Sequence, residues 1–154
     1  MQRRTALHVL MAAALGAVIL AVPRAVAAES EIYVNSATGQ AINGYDPVAY
    51  FTQDMPVAGD PAYTYDWKGA PFFFASAENR DMFAADPEKY APQYGGWCAY
   101  AMAENQFATT VPEAFTVYND KLYLNFSTGV RTLWRKDKDG YIARADGHWT
   151  AYFP

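Results

Sequence analysis

The chain of 154 residues is short of the side chains from which catalytic and metal centres are usually assembled. It has one cysteine, Cys98, and two histidines, His8 and His148. A single cysteine excludes a disulfide scaffold. A closed structural zinc site needs four Cys or His ligands, and the chain after residue 27 offers only Cys98 and His148. Basic residues are scarce too: 12 Lys and Arg stand against 16 Asp and Glu, a formal net charge of −4. An acidic surface repels phosphate backbones, which argues against nucleic acid as a partner. The spaced motifs that announce catalysis are also missing. There is no G-x-S-x-G, H-E-x-x-H, C-x-x-C, P-loop or G-x-G-x-x-G. The residues point away from an enzyme and towards a binding role.

The first 27 residues lack every acid and every aromatic ring of the chain. Arg3 and Arg4 are followed by an almost wholly apolar run from Ala6 to Val22, and Ala25-Val26-Ala27 closes it with small residues. This is the pattern of a secretory signal peptide, with Ala28 as the expected first residue after cleavage. The adjacent arginines leave twin-arginine export open beside the general route. No cysteine follows the apolar run, which excludes a lipoprotein anchor, and no later stretch is long and apolar enough to span a bilayer. The expectation is a bacterial exported protein, periplasmic or secreted, free of the membrane after cleavage. Without Arg3, Arg4 and Arg24, nine basic residues face sixteen acidic ones, a charge of −7. What this part of the chain has in abundance is aromatic surface, 4 Trp, 12 Tyr and 9 Phe, ample for a folded core.

Local patterns predict a small α+β domain of short antiparallel hairpins with packed helices. Residues 28–43 read as a polar lead-in, strand-like at Ile32-Tyr33-Val34, and residues 44–154 as one domain. Tyr63, Tyr65 and Trp67 alternate with polar residues, Lys68-Gly69 turns, and Phe72 to Ala75 continues as an apolar run, which together predict a hairpin. Ser76 can cap a helix over Ala77–Ala85, and Asp86-Pro87 starts another helical turn. Residues 97–104 fit helix and strand equally. Phe115–Tyr118 and Leu122–Phe126 predict a second hairpin turning at Asn119-Asp120, and Ser127 a helix carrying Val130, Leu133 and Trp134. A charged stretch ends at Gly140, and a final short helix or turn carries Ile142, His148 and Trp149.

Several of these segments resemble YHS-domain proteins. They are Gly44-Tyr45-Asp46-Pro47-Val48-Ala49-Tyr50-Phe51, the Tyr63–Phe74 hairpin, Ser76 to Phe83, and Asp86-Pro87-Glu88-Lys89-Tyr90. Gln93-Tyr94-Gly95-Gly96-Trp97-Cys98 and Lys121 to Phe126 look like the exported branch of that family. The resemblance spans about residues 40–150 and implies an α+β fold and, through kinship with TRASH-type modules, metal handling by thiolates. Those modules carry one cysteine in the opening turn and two more, four apart, after the second strand. The matching positions here are Ala49, Ala75 and Asn79, none of which supplies a thiolate, so the family's metal role does not transfer to them.

Cys98 is then the residue of most interest. A thiolate with Met102 four residues on, and with His148 as a nitrogen donor, would suit Cu(I); Met55 or Met82 could add a sulfur. Three readings stay open for Cys98: an inert buried thiol, an anchor for copper, or a disulfide partner for a second copy in a homodimer. Met82 and Met102 have core packing as their plainer role, and His148 a place in a solvent-facing turn. A different class of function uses the rings. Trp67, Trp97, Trp134 and Trp149 with the tyrosines could line a pocket for a flat or sugar-like ligand, or a partner, with no metal; their alternation along strands suits a core instead. Asp46 and Asp86 precede prolines and read as turn caps, and Glu78 and Asp81 as members of a solvated helix face.

Overall fold

A computed structural model describes residues 28–154. The expected secretory signal lies on residues 1–27, outside the described residues. The chain enters through Ile32 and Tyr33, both buried, and makes an antiparallel bridge from Val34 to Ala41. The lead-in is therefore packed onto the domain, with Tyr33 N–H donating to Gly95 O at 2.9 Å.

The first hairpin pairs β1 (Asp60–Trp67) with β2 (Ala70–Phe74), placing Tyr65 opposite Phe72 and Trp67 opposite Ala70. Lys68 and Gly69, at φ 49° and 76°, form the left-handed two-residue turn that matches strand twist. Phe72 and Phe74 point inward while Pro71 and Phe73 are only half-buried, so the expected continuous run is an alternating strand. Before this hairpin, Val48 to Thr52 resolves as a helical turn, α1 (Ala49–Thr52). After it come α2 (Ala77–Ala85), whose Ser76 Oγ accepts Asn79 N–H at 3.1 Å, and α3 (Pro87–Tyr90), capped by Asp86. Phe83 of α2 is fully buried, and its ring lies 5.0 Å from that of Phe72 and 5.2 Å from that of Phe74.

The rest of the chain adds a second hairpin and three further α-helices. The stretch that fitted helix or strand is α4 (Ala99–Ala103). The second hairpin, β3 (Phe115–Tyr118) and β4 (Lys121–Leu124), turns through Asn119 and Asp120 at φ 49° and 57°. Ser127 caps α5 (Thr128–Trp134) through Val130 N–H. The final element differs from expectation. It is a 15-residue helix, α6 (Lys138–Tyr152), beginning before Gly140 under an Asp137 cap. Packing against α4, with Ala145 fully buried and Ile142 and Trp149 partly so, sustains it despite two glycines.

The two sheets and the helices form two apolar clusters. One contains Tyr50, Phe72, Phe74 and Phe83; the other contains Tyr94, Met102, Trp134 and Ala145. Strand β4 serves both, since Leu122 and Leu124 enter the first cluster and Tyr123 the second. The architecture is α+β. Among the described residues no helix is long and apolar enough to cross a membrane.

Candidate functional site

Backbone in the left-handed region is rare for residues other than glycine, and clusters of it draw attention to nearby sites. Two such runs meet in this fold. Ile42 and Asn43 have φ 43° and 62°, and Tyr94, Gly95 and Gly96 have φ 55°, 59° and 88°. They pack against each other and against the lead-in. A Cβ on Gly96 would lie 2.4 Å from Ile42 Cγ2, and one on Gly95 would lie 1.7 Å from Glu31 O. Only glycine satisfies both the conformation and the approach.

This turn delivers Trp97 to the wall of a cleft. Trp97 Nε1 donates to Ser30 O at 2.9 Å, and its ring lies 5.0 Å from Tyr33. After α4 the chain doubles back, with Cys98 N–H donating to Ala108 O at 3.0 Å, and sets Phe107 edge-on to Trp97 at 5.4 Å. Tyr33, Trp97 and Phe107 thus line a cleft of about 380 Å³, with Asn35, Ser36, Thr109 and Glu29 along its rim. A polar network anchors two of the lining residues, Tyr33 and Asn35. Asn43 Oδ1 accepts from Tyr33 Oη at 3.2 Å and Asn35 Nδ2 at 2.8 Å, and Asn43 Nδ2 donates to Thr110 O at 2.9 Å. Thr110 Oγ1 in turn donates to Gly96 O. Among the four tryptophans considered from sequence, Trp97 lines this cleft and Trp134 is fully buried in the second cluster. Trp67 and Trp149 border a smaller cavity of about 90 Å³, where Lys68 pairs with Glu31 and Glu88.

Cys98 precedes α4 and Met102 lies within it, and His148 reaches that helix from α6. Cys98 caps α4. Its Sγ accepts from Phe126 N–H at 3.3 Å and Ala101 N–H at 3.5 Å and faces Asn125 Oδ1 at 3.6 Å. Burial pushes the thiol's pKa up, against the opposing effect of the backbone N–H groups, so the neutral thiol is favoured. Met102 is fully buried in the second apolar cluster. His148 Nδ1 lies 2.9 Å from the backbone oxygen of Met102. The imidazole therefore engages this residue's carbonyl, and it sits half-buried on a helix where a solvent-facing turn was expected. Met82 and Met55 are 38% and 51% exposed, so the core-packing expectation holds for Met102 and fails for Met82. Among the described residues no three His, Cys, Asp or Glu side chains cluster closely enough to hold a metal.

The three positions where the resemblance would place thiolates do converge, on a carboxylate. Asp46 is fully buried. Its Oδ1 accepts from Val48 N–H at 2.8 Å and Ala49 N–H at 3.3 Å, and its Oδ2 from Ala75 N–H at 2.8 Å and Asn79 Nδ2 at 2.7 Å. The site is an anion cage already filled by the chain's own carboxylate, with donors all round and no thiolate. It does not fit a metal cation.

The fold is a small α+β domain with an aromatic-walled cleft on it. Residues 48–94 match the YHS domain, so the chain carries a YHS domain over α1 to the Tyr94 turn. No curated protein and no solved structure matches the chain.

Proposed function

We propose that this protein is a binding module that takes a small, largely apolar ligand in the cleft between Tyr33, Trp97 and Phe107. The observation that carries the reading is the cleft itself. Its volume of about 380 Å³ falls in the range of small-molecule sites, and its walls combine aromatic faces with hydrogen-bonding groups on the rim. Rings give contact area, and Asn35, Ser36 and Thr109 can give direction. The hydrogen bonds of Tyr33 and Trp97 are spent inward, so both rings are held in place before a ligand arrives. Thermal-shift screening of a small-molecule panel, with metals chelated, tests this. Hits should stabilise the wild type and lose most of that shift in Phe107→Ala, which removes a half-buried wall without touching the inward bonds. Stabilisation by metals alone, or equal shifts in the variant, would count against the cleft.

Copper held at Cys98 is a second reading, favoured by one observation. If His148 Nδ1 donates to the Met102 oxygen 2.9 Å away, Nε2 keeps the lone pair, the tautomer that a metal-bound histidine adopts. The cost is that Cys98 must lose its proton and exchange existing hydrogen bonds for the metal. Cu(I) titration should then show affinity falling about tenfold or more in both Cys98→Ala and His148→Ala. Equal affinity in the wild type and both variants would end this reading.

A further inference from the structure

Arg131 and Arg135 lie one helical turn apart on the same face of α5 and its C-terminal cap. Both reach across to strand β3. Arg131 Nη1 donates to Glu113 O at 2.7 Å and to Phe115 O at 3.4 Å. Arg135 Nη2 donates to the same Phe115 oxygen at 3.2 Å, and its Nε to Thr116 Oγ1 at 2.9 Å. Two guanidinium groups are therefore gathered at one carbonyl, like charge beside like charge. Among the described residues neither forms an ion pair, whereas Lys68, Arg80 and Arg144 do. Asp54 acts on Arg135 only from beyond ion-pair distance.

A second observation is independent of the charge. Arg131 Nε is buried and has no hydrogen-bond partner among the described residues. A buried N–H of a cation left unbonded is costly and calls for an acceptor. Arg131 Nη2 and Arg135 Nη1 also bond to no described residue. The acceptor that answers all these donors is an oxyanion, since carboxylate and phosphate oxygens match the planar fork of a guanidinium.

We infer that Arg131 and Arg135 form an oxyanion-binding site, separate from the aromatic cleft, which takes a phosphate or carboxylate group. The pair also ties α5 to β3, so the test must separate binding from bracing. Arginine Nε–H NMR resonances and melting temperature are followed during titration with sodium phosphate, sodium succinate and, at matched ionic strength, sodium chloride. The Arg131 Nε–H signal should shift saturably with phosphate, succinate or both, and not with chloride. A response to phosphate alone identifies a phosphoryl-bearing ligand, and a response to succinate alone a carboxylate. Arg135→Lys, at an exposed position, keeps the charge but loses the free Nη1 donor and the bonds that aim it, and should weaken the responding anion about tenfold or more. Arg131→Gln should abolish the rise in melting temperature that the responding anion gives the wild type. Absence of saturation with either oxyanion, chloride acting equally, or an unchanged response in Arg135→Lys would overturn the inference. A purely bracing pair would lower the melting temperature of the variants while leaving them and the wild type equally indifferent to phosphate.

Discussion

A carboxylate taken out of water without a cationic partner is tolerable only when hydrogen-bond donors replace its hydration. Asp46 meets that condition with four N–H groups, three from the backbone and one from Asn79. It joins the start of α1, the end of β2 and the first turn of α2. Asp46→Ala would strand those donors in the interior and should cost about 3–5 kcal/mol, read as a shifted urea midpoint. Asn79→Ala removes one donor and should cost about 1–2 kcal/mol. Equal small losses in both would show that the cage does not act as a unit. Asp46-Pro47 was legible in the sequence as a turn cap, and the bond to Val48 N–H is that cap. The Ala49 bond is local too, but those from Ala75 and Asn79 reach 29 and 33 residues along the chain, and no local pattern encodes such a meeting. For the same reason Phe107 and Tyr33 could not be picked out as cleft walls. Each is one ring among many until the left-handed turns at Ile42 and Tyr94 bring them together.

Helix starts marked by a serine cap or an Asp-Pro pair, and hairpins marked by their turn residues, could be read from the sequence to within about three residues. Ser76 and Asp86 set the starts of α2 and α3, and Lys68-Gly69 and Asn119-Asp120 set both hairpins. Helix α6 escaped because Gly140 and Gly147 carry low helix propensity, and its stability comes from packing on α4 instead. That account makes the glycines of the chain testable in opposite directions. Gly147 lies within α6 with nothing near an added Cβ. Gly147→Ala should stabilise the fold by about 0.5–1 kcal/mol, a rise of about 2–4 °C in Tm. Gly95→Ala should do the reverse, because its Cβ would fall 1.7 Å from a backbone oxygen in a left-handed conformation. It should also disturb the placement of Trp97, visible as changed tryptophan fluorescence. A neutral Gly95→Ala would mean that the lead-in can move aside, and would weaken the case for a rigid cleft.

At the scale of the molecule, the YHS match ends at residue 94, yet the core of that segment is completed by Leu122 and Leu124 of β4, well beyond it. The neighbouring Tyr123 belongs to the second cluster, so one strand couples both. Buried tyrosines report on this coupling because they sit in each. Burial pushes the Tyr123 hydroxyl up to about 12, and raises Tyr50 and Tyr94 further, Tyr94 with help from its bond to Asp146. In the unfolded chain these groups ionise near pH 10. Above that pH the unfolded state holds fewer protons than the native state, so stability falls as pH rises. The stabilisation is complete below about pH 10 and is lost as the pH climbs towards 12. Melting followed by circular dichroism from pH 8 to 11.5 should show a flat Tm that then drops. Tyr94→Phe should soften the drop. A Tm unchanged to pH 11.5 would mean that these hydroxyls ionise in place. Because Tyr50 belongs to the first cluster and Tyr94 and Tyr123 to the second, the shared strand demands a single transition. Two alkaline transitions would mean that β4 does not bind the YHS segment and the C-terminal helices into one cooperative unit.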